Sequence, residues 1–590
     1  MTFETFATYL EKLDKTSSRL ILIDILSDLF KNSSKDEIAM ICYLVQGRIA
    51  PFFKPVEIGM AEKTVAESIA NAYNLSKDEV LKLYSELGDM GLVAWQLSSK
   101  LKTKNSNLTV GEVAQILTQI ANTNGEGTVE RRIKLLSDLL KQIDPISARY
   151  LVRIPLGNLR LGIGDPTILE GLSMAKFNDR SKRKLLEGAY NRTSDLGLIA
   201  QTLFESGLSA VEKLEVRVGY PIRSELCERL PTPQKAIEKM SFDSAQDKVG
   251  VDVQYKYDGF RVQIHKDGDN VSMFSRNLEN MTHMFPELIE ATLKQVKAKT
   301  AILDSEALAY NPQSEEFLPF QETTKRRRKH GIEEMAAKLP LKAFVFDILY
   351  KDGKSLIDEP LTKRMEVLKN TVEEDGTLIR TQNQIIEESG ALGIILEDAI
   401  SKGLEGVVIK KLDSKYEAGA RNFNWVKLKR HSAGELHDTI DCVILGYITG
   451  KGKRAEFGAG ALLVGVYDDK KDEFVTVSKI GTGLTDEEWR EIHMRADKIK
   501  VDHKPARVNS LVIPSVWIRP EIVIEVLADE ITRSPIHTAG ASTSLASGEK
   551  TPGYALRFPR LVSFREKDKK AEDATTIKEL IEMYGEQFKK

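Results

Sequence analysis

The sequence predicts a multidomain protein with an all-α N-terminal domain, an α+β central domain and an all-β C-terminal domain. Its 590 residues provide for three or four domains at about 150 residues each. Apolar residues recur at spacings of three and four as far as about Gly219, and short β-branched and aromatic runs separated by turn dipeptides follow. We place the three domains at residues 1–220, 221–432 and 433–590.

The composition is that of an ordinary soluble globular protein, with 42% hydrophobic and 29% charged residues and a mean hydropathy of −0.27. The longest apolar runs, such as residues 38–45, are far shorter than the roughly 18 residues that a membrane-spanning helix needs. The 85 Lys+Arg and 87 Asp+Glu residues leave a net charge of −2. We therefore expect no membrane partner and no uniformly basic surface, although a local basic face could still bind nucleic acid.

The N-terminal segment has no basic region followed by a continuous apolar stretch, so we expect no secretory signal. The three cysteines, Cys42, Cys227 and Cys442, are odd in number and widely separated, which argues against a disulfide framework and against a zinc cluster. These features are typical of a reducing compartment. We expect a cytoplasmic protein.

The N-terminal domain is predicted to be helical. One run at helical spacing comprises Leu20, Ile23, Leu26 and Phe30. A second run covers residues 135–140. Polar breaks at residues 102–107 and 122–127 predict loops between helices.

The central domain is predicted to mix strands with a few helices. Residues 251–256, 260–265 and 271–275 alternate in the strand pattern, and the Asp267-Gly268 dipeptide between the last two predicts a hairpin. Further strands are predicted at residues 301–310, 342–350, 406–411 and 424–430.

The C-terminal domain is predicted to be a small barrel, for which an OB fold is the natural candidate. Its strands are predicted at residues 441–447, 461–467, 473–480 and 521–527. The sequence Thr485-Asp-Glu-Glu488 is a capping box, which predicts one helix among these strands.

The hexapeptide Lys256-Tyr-Asp-Gly-Phe-Arg261 carries the first candidate chemistry. It places a lysine at the end of a strand, then a tight Asp-Gly turn and an arginine. A fixed Lys-x-Asp-Gly-x-Arg pattern is expected by chance in roughly one chain in a hundred of this length. The plain alternative is a hairpin turn whose charged side chains are solvated.

Period-two alternation places further polar side chains in pairs on strand faces. The pairs are Gln254 with Lys256, Asp304 with Glu306, and Lys427 with Lys429. Two lysines on one side of a strand are also typical of an edge strand that resists aggregation. Both interpretations of the lysine pair remain open on these residues alone.

Two more segments allow both a structural and a functional interpretation. Glu405-Gly-Val-Val-Ile-Lys410 has opposite charges at the ends of an apolar strand, as an ordinary core strand also does. Phe344, Phe346 and Ile348 are predicted to share one face of a strand. That face is either core or an aromatic wall on which a base could stack.

Together these segments resemble the ordered motifs of the covalent nucleotidyltransferases. The matching segments are Lys256-Tyr-Asp-Gly-Phe-Arg261, Phe274-Ser-Arg-Asn277, Phe344-Val-Phe-Asp-Ile-Leu349, Glu405-Gly-Val-Val-Ile-Lys410, Trp425-Val-Lys-Leu-Lys429, and Arg557-Phe-Pro-Arg560 with the following Arg565-Glu-Lys-Asp-Lys569. The chain is most similar to ATP-dependent DNA ligases of the archaeal and eukaryotic replicative type. The resemblance covers essentially the whole chain, because residues 150–162 resemble the DNA-binding domain of that family. It implies a helical DNA-binding domain, an adenylation (nucleotidyltransferase) domain and an OB-fold domain.

The resemblance implies that Lys256 attacks the α-phosphorus of ATP and forms a lysyl-AMP intermediate. A lysine of ordinary pKa, about 10.4, is almost wholly protonated near neutral pH, so the fold must favour the neutral amine. We expect Arg261, Lys427, Lys429 and a bound metal ion to supply the positive field that does so.

The family's nucleotide-binding roles transfer by position to the residues Gln254, Arg261, Arg276, Glu306, Phe346, Arg421, Lys427 and Lys429. Glu306 and Arg261 would hold the ribose and its surroundings, and Phe346 would stack on adenine. Arg276 would contact the nucleotide, and Arg421 with Lys427 would reach the phosphates. Gln254 stands where relatives often carry the glutamate that accepts from the adenine amino group, and its carbonyl can accept the same bond without the charge.

Two further roles follow from the resemblance. Glu405 is the candidate carboxylate for Mg²⁺ or Mn²⁺, directly or through water, and Glu306 could share that role. Lys569 would orient the pyrophosphate, although Arg565-Glu-Lys-Asp-Lys569 is one residue longer than the family's Arg-x-Asp-Lys.

The substrate implied by the resemblance is nicked double-stranded DNA, bound through its phosphates without sequence readout. The glycine-rich segment 157–164, which ends before a predicted helix start at Asp165-Pro166, could present backbone amides together with Arg153 or Arg160. A structural turn between helices is the equal alternative. The basic run of residues 325–330 is either a DNA-side loop or a solvated one.

We expect a monomer associated with the nucleoid, and a sliding clamp is a candidate partner. Two other functions remain open from the sequence. An RNA ligase or RNA-capping guanylyltransferase shares the lysine chemistry, and a catalytically silent DNA-binding scaffold could share the fold.

Overall fold

The computed structural model describes residues 1–100, 107–157, 159, 161–230, 232–241, 250–311, 316–318, 320–328, 330–387, 389–401, 404–429, 439–450, 458–481, 484–534, 536–543, 550–557, 559–565 and 569–587. The chain divides into two compact units, Met1–Arg430 and His431–Lys590. The first unit contains a helical domain followed by a mixed domain, and the second is β-rich.

The N-terminal part of the first unit is helical, as predicted. Its helices are α1 Phe3–Asp14, α2 Arg19–Lys31, α3 Ile38–Leu44, α4 Glu62–Tyr73, α5 Lys77–Leu87, α6 Met90–Ser98, α7 Val110–Asn122, α8 Thr128–Leu140, α9 Pro145–Arg153, α10 Asp165–Phe177, α11 Arg183–Thr193, α12 Leu196–Ser206 and α13 Leu208–Glu212. Their apolar faces share one core. Across the described part of the chain, no helix has the length and apolar character needed to cross a membrane.

Amphipathic spacing predicts most of this core. Ile23, Leu26 and Phe30 of α2 are fully buried, but Leu20 at the start of the same run is 55% exposed. Leu20 and the neighbouring Ile21 therefore face away from the core, whereas Leu22 in the same turn is buried. The predicted loop at 122–127 separates α7 from α8, while residues 102–106 of the other predicted loop lie outside the described residues.

The mixed part of the first unit contains both strands and helices. Its elements are β1 Leu226–Arg229, α14 Pro233–Ser241, β2 Val251–Lys256, β3 Phe260–Asp267, β4 Asn270–Ser275, a 3₁₀ turn Thr282–Met284, α15 Pro286–Gln295, β5 Thr300–Asn311, β6 Glu316–Phe317, α16 Phe320–Thr323, a 3₁₀ turn Thr324–Arg326, α17 Ile332–Lys338, β7 Leu341–Lys351, β8 Lys354–Ser355, α18 Leu361–Lys369, β9 Leu378–Arg380, β10 Gln384–Ile386, α19 Ser389–Ser401, β11 Gly406–Lys411 and β12 Arg421–Lys429. The predicted strands are present, whereas the short strands β1, β6, β8, β9 and β10 were not predicted.

These strands form two sheets whose inner faces meet. One sheet has the order β1-β12-β11-β2-β10, and the other has the order β4-β3-β5-β7-β8 with β6 on β5 and β9 on β7. Helices α14 and α19 cover the outer face of the first sheet, and α15 covers that of the second. The predicted hairpin joins β3 to β4, and Gly268 in its loop has the positive φ of 58° that favours glycine.

A bulge in β7 overturns one prediction about this domain. Asp304 pairs with Asp347 and Ser305 with Val345, so Phe346 is left as an extra residue and the alternation shifts by one. Phe346 consequently packs between the two sheets, and Ile348 packs with Val345 on the outer side. The prediction that Phe346 and Ile348 share a face is therefore wrong.

The second unit is β-rich, as predicted. Its elements are β13 Ile440–Thr449, β14 Ala459–Asp468, β15 Glu473–Ile480, α20 Asp486–Asp497, β16 Lys500–Val501, β17 Val508–Asn509, β18 Val516–Ile518, β19 Val523–Leu527, β20 Glu530–Ser534, β21 Ser542–Thr543, β22 Lys550–Thr551, β23 Gly553–Arg557, β24 Arg560–Phe564, a 3₁₀ turn Ala571–Asp573 and α21 Ile577–Glu586. Strand β13 pairs with β14, β18 and β19, and β14 pairs with β15. The helix α20 begins at the predicted capping box. This order agrees with the predicted OB fold, although α21 is a second helix that the sequence did not predict.

Candidate active site

The site is built where three strands of the first sheet end. Lys256, the last residue of β2, lies opposite Gly406 of β11, and Gly406 lies opposite Lys429 of β12. Gly406 has a φ of 143°, and a Cβ atom there would come within 2.1 Å of the Leu428 carbonyl oxygen. Only glycine fits this approach, which places the preceding residue, Glu405, between the two lysines.

Lys256, Glu306, Glu405 and Lys429 form what we call the lysine cluster. The Lys256 ammonium donates a hydrogen bond to Glu405, and Lys429 pairs with the same carboxylate. Burial alone would lower the pKa of Lys256, but the charge and hydrogen bond of Glu405, with help from Glu306, raise it above its ordinary value. Burial would likewise raise the pKa of Glu405, but the two lysines lower it.

This arrangement differs from the expectation that cations surround Lys256 and favour its neutral form. The nearest charge is a carboxylate, and it stabilises the ammonium. Burial raises the pKa of Glu306 to about 7, although Lys256 and Arg261 act against the shift. The cluster therefore contains one firmly ionised carboxylate and one that titrates near neutrality.

The Asp-Gly turn after Lys256 is shaped by packing. A Cβ atom on Gly259 would come within 2.2 Å of the Ala307 carbonyl oxygen on β5. Tyr257 stacks on Phe344 of β7, with ring centroids 3.7 Å apart. The turn joins the first sheet to the second, so it does more than a solvated hairpin turn would.

Arg261 lies between the sheets and is already paired. Its guanidinium binds Asp304 in a bidentate arrangement, with Nε to Oδ1 at 2.8 Å, and Tyr416 donates to the same carboxylate at 2.8 Å. Arg261 also donates to the Glu225 carbonyl oxygen at 2.9 Å. Burial opposes its charge, but Asp304 and Tyr416 raise the pKa of Arg261. Asp304 and Glu306 share a strand face, as predicted.

Aromatic rings and a buried lysine line the space between the sheets. The Lys410 ammonium lies 4.2 Å from the centroid of the Trp425 ring and 4.8 Å from that of Phe346. It donates to the Phe346 carbonyl oxygen at 3.2 Å. Phe346 is half-buried, and the Arg261 guanidinium lies 5.2 Å from its ring centroid. Phe346 thus lies on a wall that a flat ring could contact.

Gln254 lies beyond Lys256 on the same face of β2, as predicted. Lys427 and Lys429 also share a face, with Val426 and Leu428 buried on the other. Burial and the neighbouring Lys429 lower the pKa of Lys427. Gln254 and Lys427 both lie opposite Val408 in the strand register, so these side chains share one face of the first sheet with the lysine cluster.

Two predicted nucleotide contacts, Arg276 and Arg421, form no ion pair with the lysine cluster among the described residues. Arg276 is exposed on the turn after β4, and among the described residues it pairs with none of the cluster's carboxylates. Arg421 begins β12, eight residues from Lys429, and donates to the Cys227 carbonyl oxygen at 3.2 Å. The charge of Arg421 nevertheless contributes to the lowered pKa of Lys427, after the larger effects of burial and Lys429.

Arg153, a predicted DNA contact, forms ion pairs inside the helical domain. It is 8% exposed, lies 3.0 Å from Asp14 and 2.8 Å from Asp89, and joins three helices of the bundle. These two carboxylates hold the guanidinium inside the domain, so a DNA-phosphate contact from Arg153 stays a prediction that DNA-binding measurements on an Arg153 variant can test. Arg160 lies outside the described residues. The helix start at Asp165-Pro166 is confirmed by α10.

The basic run 325–330 is partly structural. Arg326 is fully buried and pairs with Glu287, and Arg327 pairs with Glu279. Lys325 pairs with Glu322. Lys329 lies outside the described residues. The run is therefore not a uniformly solvated loop.

Lys569 belongs to the second unit. It pairs with Asp441 of β13, and Arg565 lies 3.8 Å from the same carboxylate. Asp441 therefore holds both basic residues of the predicted motif within the second unit.

Several functional candidates were missed from the sequence. Asp252, Glu225 and Lys410 are buried charged residues between the sheets, and the buried hydroxyl of Tyr416 accepts from Arg261. Period-two alternation on β2 could have added Asp252 to Gln254 and Lys256. Glu225 and Tyr416 carry no such signal, because distant chain segments bring them together.

The described residues contain no group of three or more His, Cys, Asp or Glu side chains that could hold a metal ion unaided. The cluster does offer two interacting carboxylates, Glu306 and Glu405. This donor set suits Mg²⁺, which prefers one or two carboxylates completed by water and substrate phosphates. The residues present therefore fit the expected ion.

Three family models match consecutive parts of the chain. Residues 2–173 match "DNA ligase N terminus", residues 225–429 match "ATP dependent DNA ligase domain", and residues 455–569 match "ATP dependent DNA ligase C terminal region". The lysine cluster falls within the second match.

Curated relatives match over the full length. The chain is 46% identical to "Probable DNA ligase" of Dictyoglomus turgidum and 40% identical to "DNA ligase 2" of Thermofilum pendens, in each case over 100% of this chain and 98% of the relative. A solved structure, "Pmar-Lig_PreS3", has a similar fold, with a TM-score of 0.51 at 16% identity over 95% of this chain and 99% of the other.

Proposed function

The chain belongs to the ATP-dependent DNA ligases, and we propose that Lys256 is the nucleophile through which it transfers AMP from ATP to the 5′-phosphate of a nick in duplex DNA. The observation that carries this proposal is the convergence of Lys256, Glu405 and Lys429 at the ends of three adjacent strands. The RNA ligase, guanylyltransferase and silent-scaffold alternatives are not favoured by the family comparisons.

In the first step, the neutral Lys256 Nζ attacks the α-phosphorus, a P–N bond forms, and the P–O bond to pyrophosphate breaks. The ammonium must first lose a proton, so its pairing with Glu405 has to weaken when the nucleotide arrives. In the second step, a 5′-phosphate oxygen displaces Lys256 from the adenylate. The 3′-hydroxyl then attacks the activated 5′-phosphate and AMP leaves.

Glu405 and Glu306 are the residues that would hold Mg²⁺ or Mn²⁺. The ion would supply positive charge near the phosphates. Binding of a cation at Glu405 would compete with Lys256 for that carboxylate. Loss of the Glu405 interaction would lower the pKa of Lys256, because burial would then be opposed only by the weaker effects of Glu306 and Cys227.

The remaining residues would position the nucleotide. Gln254 would accept from the adenine amino group, Phe346 would stack on the base, and Arg261 with Glu306 would hold the ribose. Lys427 and Lys429, which lie on the same strand face as one another, would meet the phosphates. Arg276 would contact the nucleotide, Arg421 would reach the phosphates together with Lys427, and Lys569 would orient the pyrophosphate.

The finer organisation is also a proposal. We retain domain limits at residues 1–220, 221–432 and 433–590, a monomeric state and a sliding-clamp partner. A nucleoid-associated site in the cytoplasm would follow from the DNA substrate.

The nucleophile is tested with α-labelled ATP, a divalent metal ion and a denaturing gel. We expect label on the wild-type chain and none on Lys256→Ala, because the proposed P–N bond forms on the Lys256 amine and the neighbouring Lys429 is assigned to the phosphates. The variant should still bind nicked DNA. A matched control is Lys354→Ala, which removes a lysine exposed in a surface ion pair with Glu359 and should leave labelling unchanged.

Two results would contradict the assignment. Normal labelling of Lys256→Ala would exclude this lysine as the nucleophile. Labelling of the wild type with α-labelled GTP alone would exclude ATP as the donor.

A further inference from the structure

Three polar side chains lie on one face of β2, and they are more deeply buried the farther they lie from the strand end at Lys256. Asp252 is fully buried, Gln254 is 3% exposed, and Lys256 is half-buried at the strand end. Successive residues on one strand face are about 6.6 Å apart. In the proposed function, Lys256 meets the α-phosphate and Gln254, one step deeper, meets the base. Asp252 lies one step deeper again, behind Gln254.

The side-chain amide of Gln254 is held in one orientation. Its Nε2 donates to Asp252 Oδ2 at 2.7 Å and to Asn383 Oδ1 at 2.8 Å, so both amide protons are used. An ionised carboxylate can only accept a hydrogen bond, so the nitrogen end of the amide must face Asp252. The carbonyl Oε1 is the polar atom that remains for a ligand.

A lysine on the neighbouring strand stabilises the negative charge of the buried Asp252. Lys410 lies opposite Asp252 in the register between β2 and β11. Burial raises the pKa of Asp252 to about 6, and Lys410 with the Gln254 hydrogen bond limits that shift. Asp252 therefore remains ionised at neutral pH and acts as an acceptor only.

We propose that Asp252 is a positioning residue that makes Gln254 an obligatory acceptor and thereby selects adenine over guanine at the nucleotide site. The exocyclic group of adenine at position 6 is an amino donor, and that of guanine is a carbonyl acceptor. A glutamine free to rotate could serve either base, because it can present its oxygen or its nitrogen. With Asp252 behind it, Gln254 offers the oxygen only, as a glutamate would. This inference rests on the proposed function, in which Gln254 contacts the base.

The central test measures covalent labelling with α-labelled ATP and with α-labelled GTP in wild type and Asp252→Asn. The substituted amide can donate to Gln254 Oε1 as well as accept from Nε2, so both orientations of Gln254 become available. We expect the ratio of kcat/KM for ATP over GTP to fall about tenfold or more, the effect of one misplaced buried hydrogen-bond partner. The change should lie mainly in the two KM values, since Lys256 is unaltered.

A swap of acid and amide separates orientation from general structural damage. Asp252→Asn combined with Gln254→Glu rebuilds the same hydrogen bond with the donor and acceptor exchanged, and a carboxylate at 254 accepts in either rotamer. We expect this double variant to regain the ATP preference. Gln254→Glu alone should perform worse than the double variant, because it places two carboxylates side by side.

Asn383, the second acceptor of the Gln254 amide, provides a comparison with Asp252. It is exposed, so water can replace its oxygen, and Asn383→Ala should change the ratio less than Asp252→Asn does. A larger effect at Asn383 than at Asp252 would overturn the assignment of the positioning role. So would an unchanged ATP preference in a folded Asp252→Asn, or a double variant that stays unselective.

Gln254→Ala distinguishes failure of this inference from failure of the proposed base contact. If that variant keeps both the KM for ATP and the preference over GTP, Gln254 does not read the base and both statements fail. If it loses the preference while folded Asp252→Asn keeps it, only the positioning role fails. Should Asp252→Asn not fold, Asp252→Ser, which also loses the obligatory acceptor behind Gln254, is measured in its place, and an unchanged ATP preference in that variant overturns the positioning role.

Discussion

Glu405 accepts a hydrogen bond from the ammonium of Lys256 and also pairs with Lys429, so one carboxylate holds two cations at the ends of adjacent strands. In this state the proposed nucleophile is stabilised as a cation. Removing the charge of Glu405 is therefore the most direct way to change its reactivity.

We expect Glu405→Gln to lower the pKa of Lys256. The folded-state pKa of Lys256 is raised chiefly by Glu405 against the opposing effect of burial, so burial dominates once the charge is gone. Lys256 should then react faster at neutral pH with an amine-acylating reagent, without nucleotide or metal, as measured by peptide mass spectrometry. Glu359→Gln, which removes a partner of exposed Lys354, is the control. Equal or slower acylation of Lys256 would contradict the electrostatic account.

We expect Gly406→Ala to destabilise the first unit and to abolish labelling by ATP. A Cβ atom would lie 2.1 Å from the Leu428 carbonyl oxygen, so the strands must separate and Glu405 must move. Gly390→Ala is a matched control in α19, where nothing lies within 4 Å. It should stabilise by roughly 0.5–1 kcal/mol, because alanine is the better helix former. Urea unfolding of both variants checks the opposite signs, and equal effects would refute the steric argument.

The buried pair of Arg364 and Asp347 should show strong coupling. Both side chains are fully buried, and Arg364 Nε lies 2.8 Å from Asp347 Oδ1. Arg364→Met leaves a buried carboxylate without its partner and should cost about 3–5 kcal/mol. The double variant with Asp347→Asn should cost less than the sum of the two single changes. Additive losses in a denaturation cycle would mean that the pair is not coupled.

Arg153→Met should weaken the helical domain without changing how DNA affinity depends on salt. The arginine bridges Asp14 and Asp89 inside the bundle, and its loss should cost about 3 kcal/mol. Its guanidinium is held by these two carboxylates, so the slope of log Kd against log salt should match the wild type. A slope that falls by about one would confirm Arg153 as a phosphate contact.

His265 should contribute to acid unfolding. Gly219 donates to its Nδ1 at 3.0 Å, and burial lowers its pKa to about 3. The unfolded chain, with an ordinary histidine pKa of about 6.5, binds a proton first as the pH falls. Stability should therefore decrease below that pH by about 1.4 kcal/mol per unit until the folded pKa is reached. His265→Gln should lose this component, and His283→Gln, at an exposed position, should keep it.

The order of the domains and the identity of the lysine motif could be predicted from the sequence, because both depend on local signals. Helical spacing marks α1–α13, alternation marks β2, β3 and β11, and a capping box marks the start of α20. Alternation also placed Gln254 with Lys256 and Lys427 with Lys429, since neighbours on one strand face follow from the backbone alone.

The electrostatic state of the site depended on tertiary structure. Whether Lys256 meets a cation or a carboxylate is decided by the glycine at 406, which lets β11 and β12 approach and places Glu405 between the lysines. The position of Ile348 depended on one bulged residue, Phe346, which shifts the alternation of β7 by one residue. The sequence shows only that Arg153 is basic. The tertiary structure shows that its charge forms ion pairs with Asp14 and Asp89 inside the domain. Local pattern determines which face a side chain occupies, whereas the partner across that face comes from distant parts of the chain.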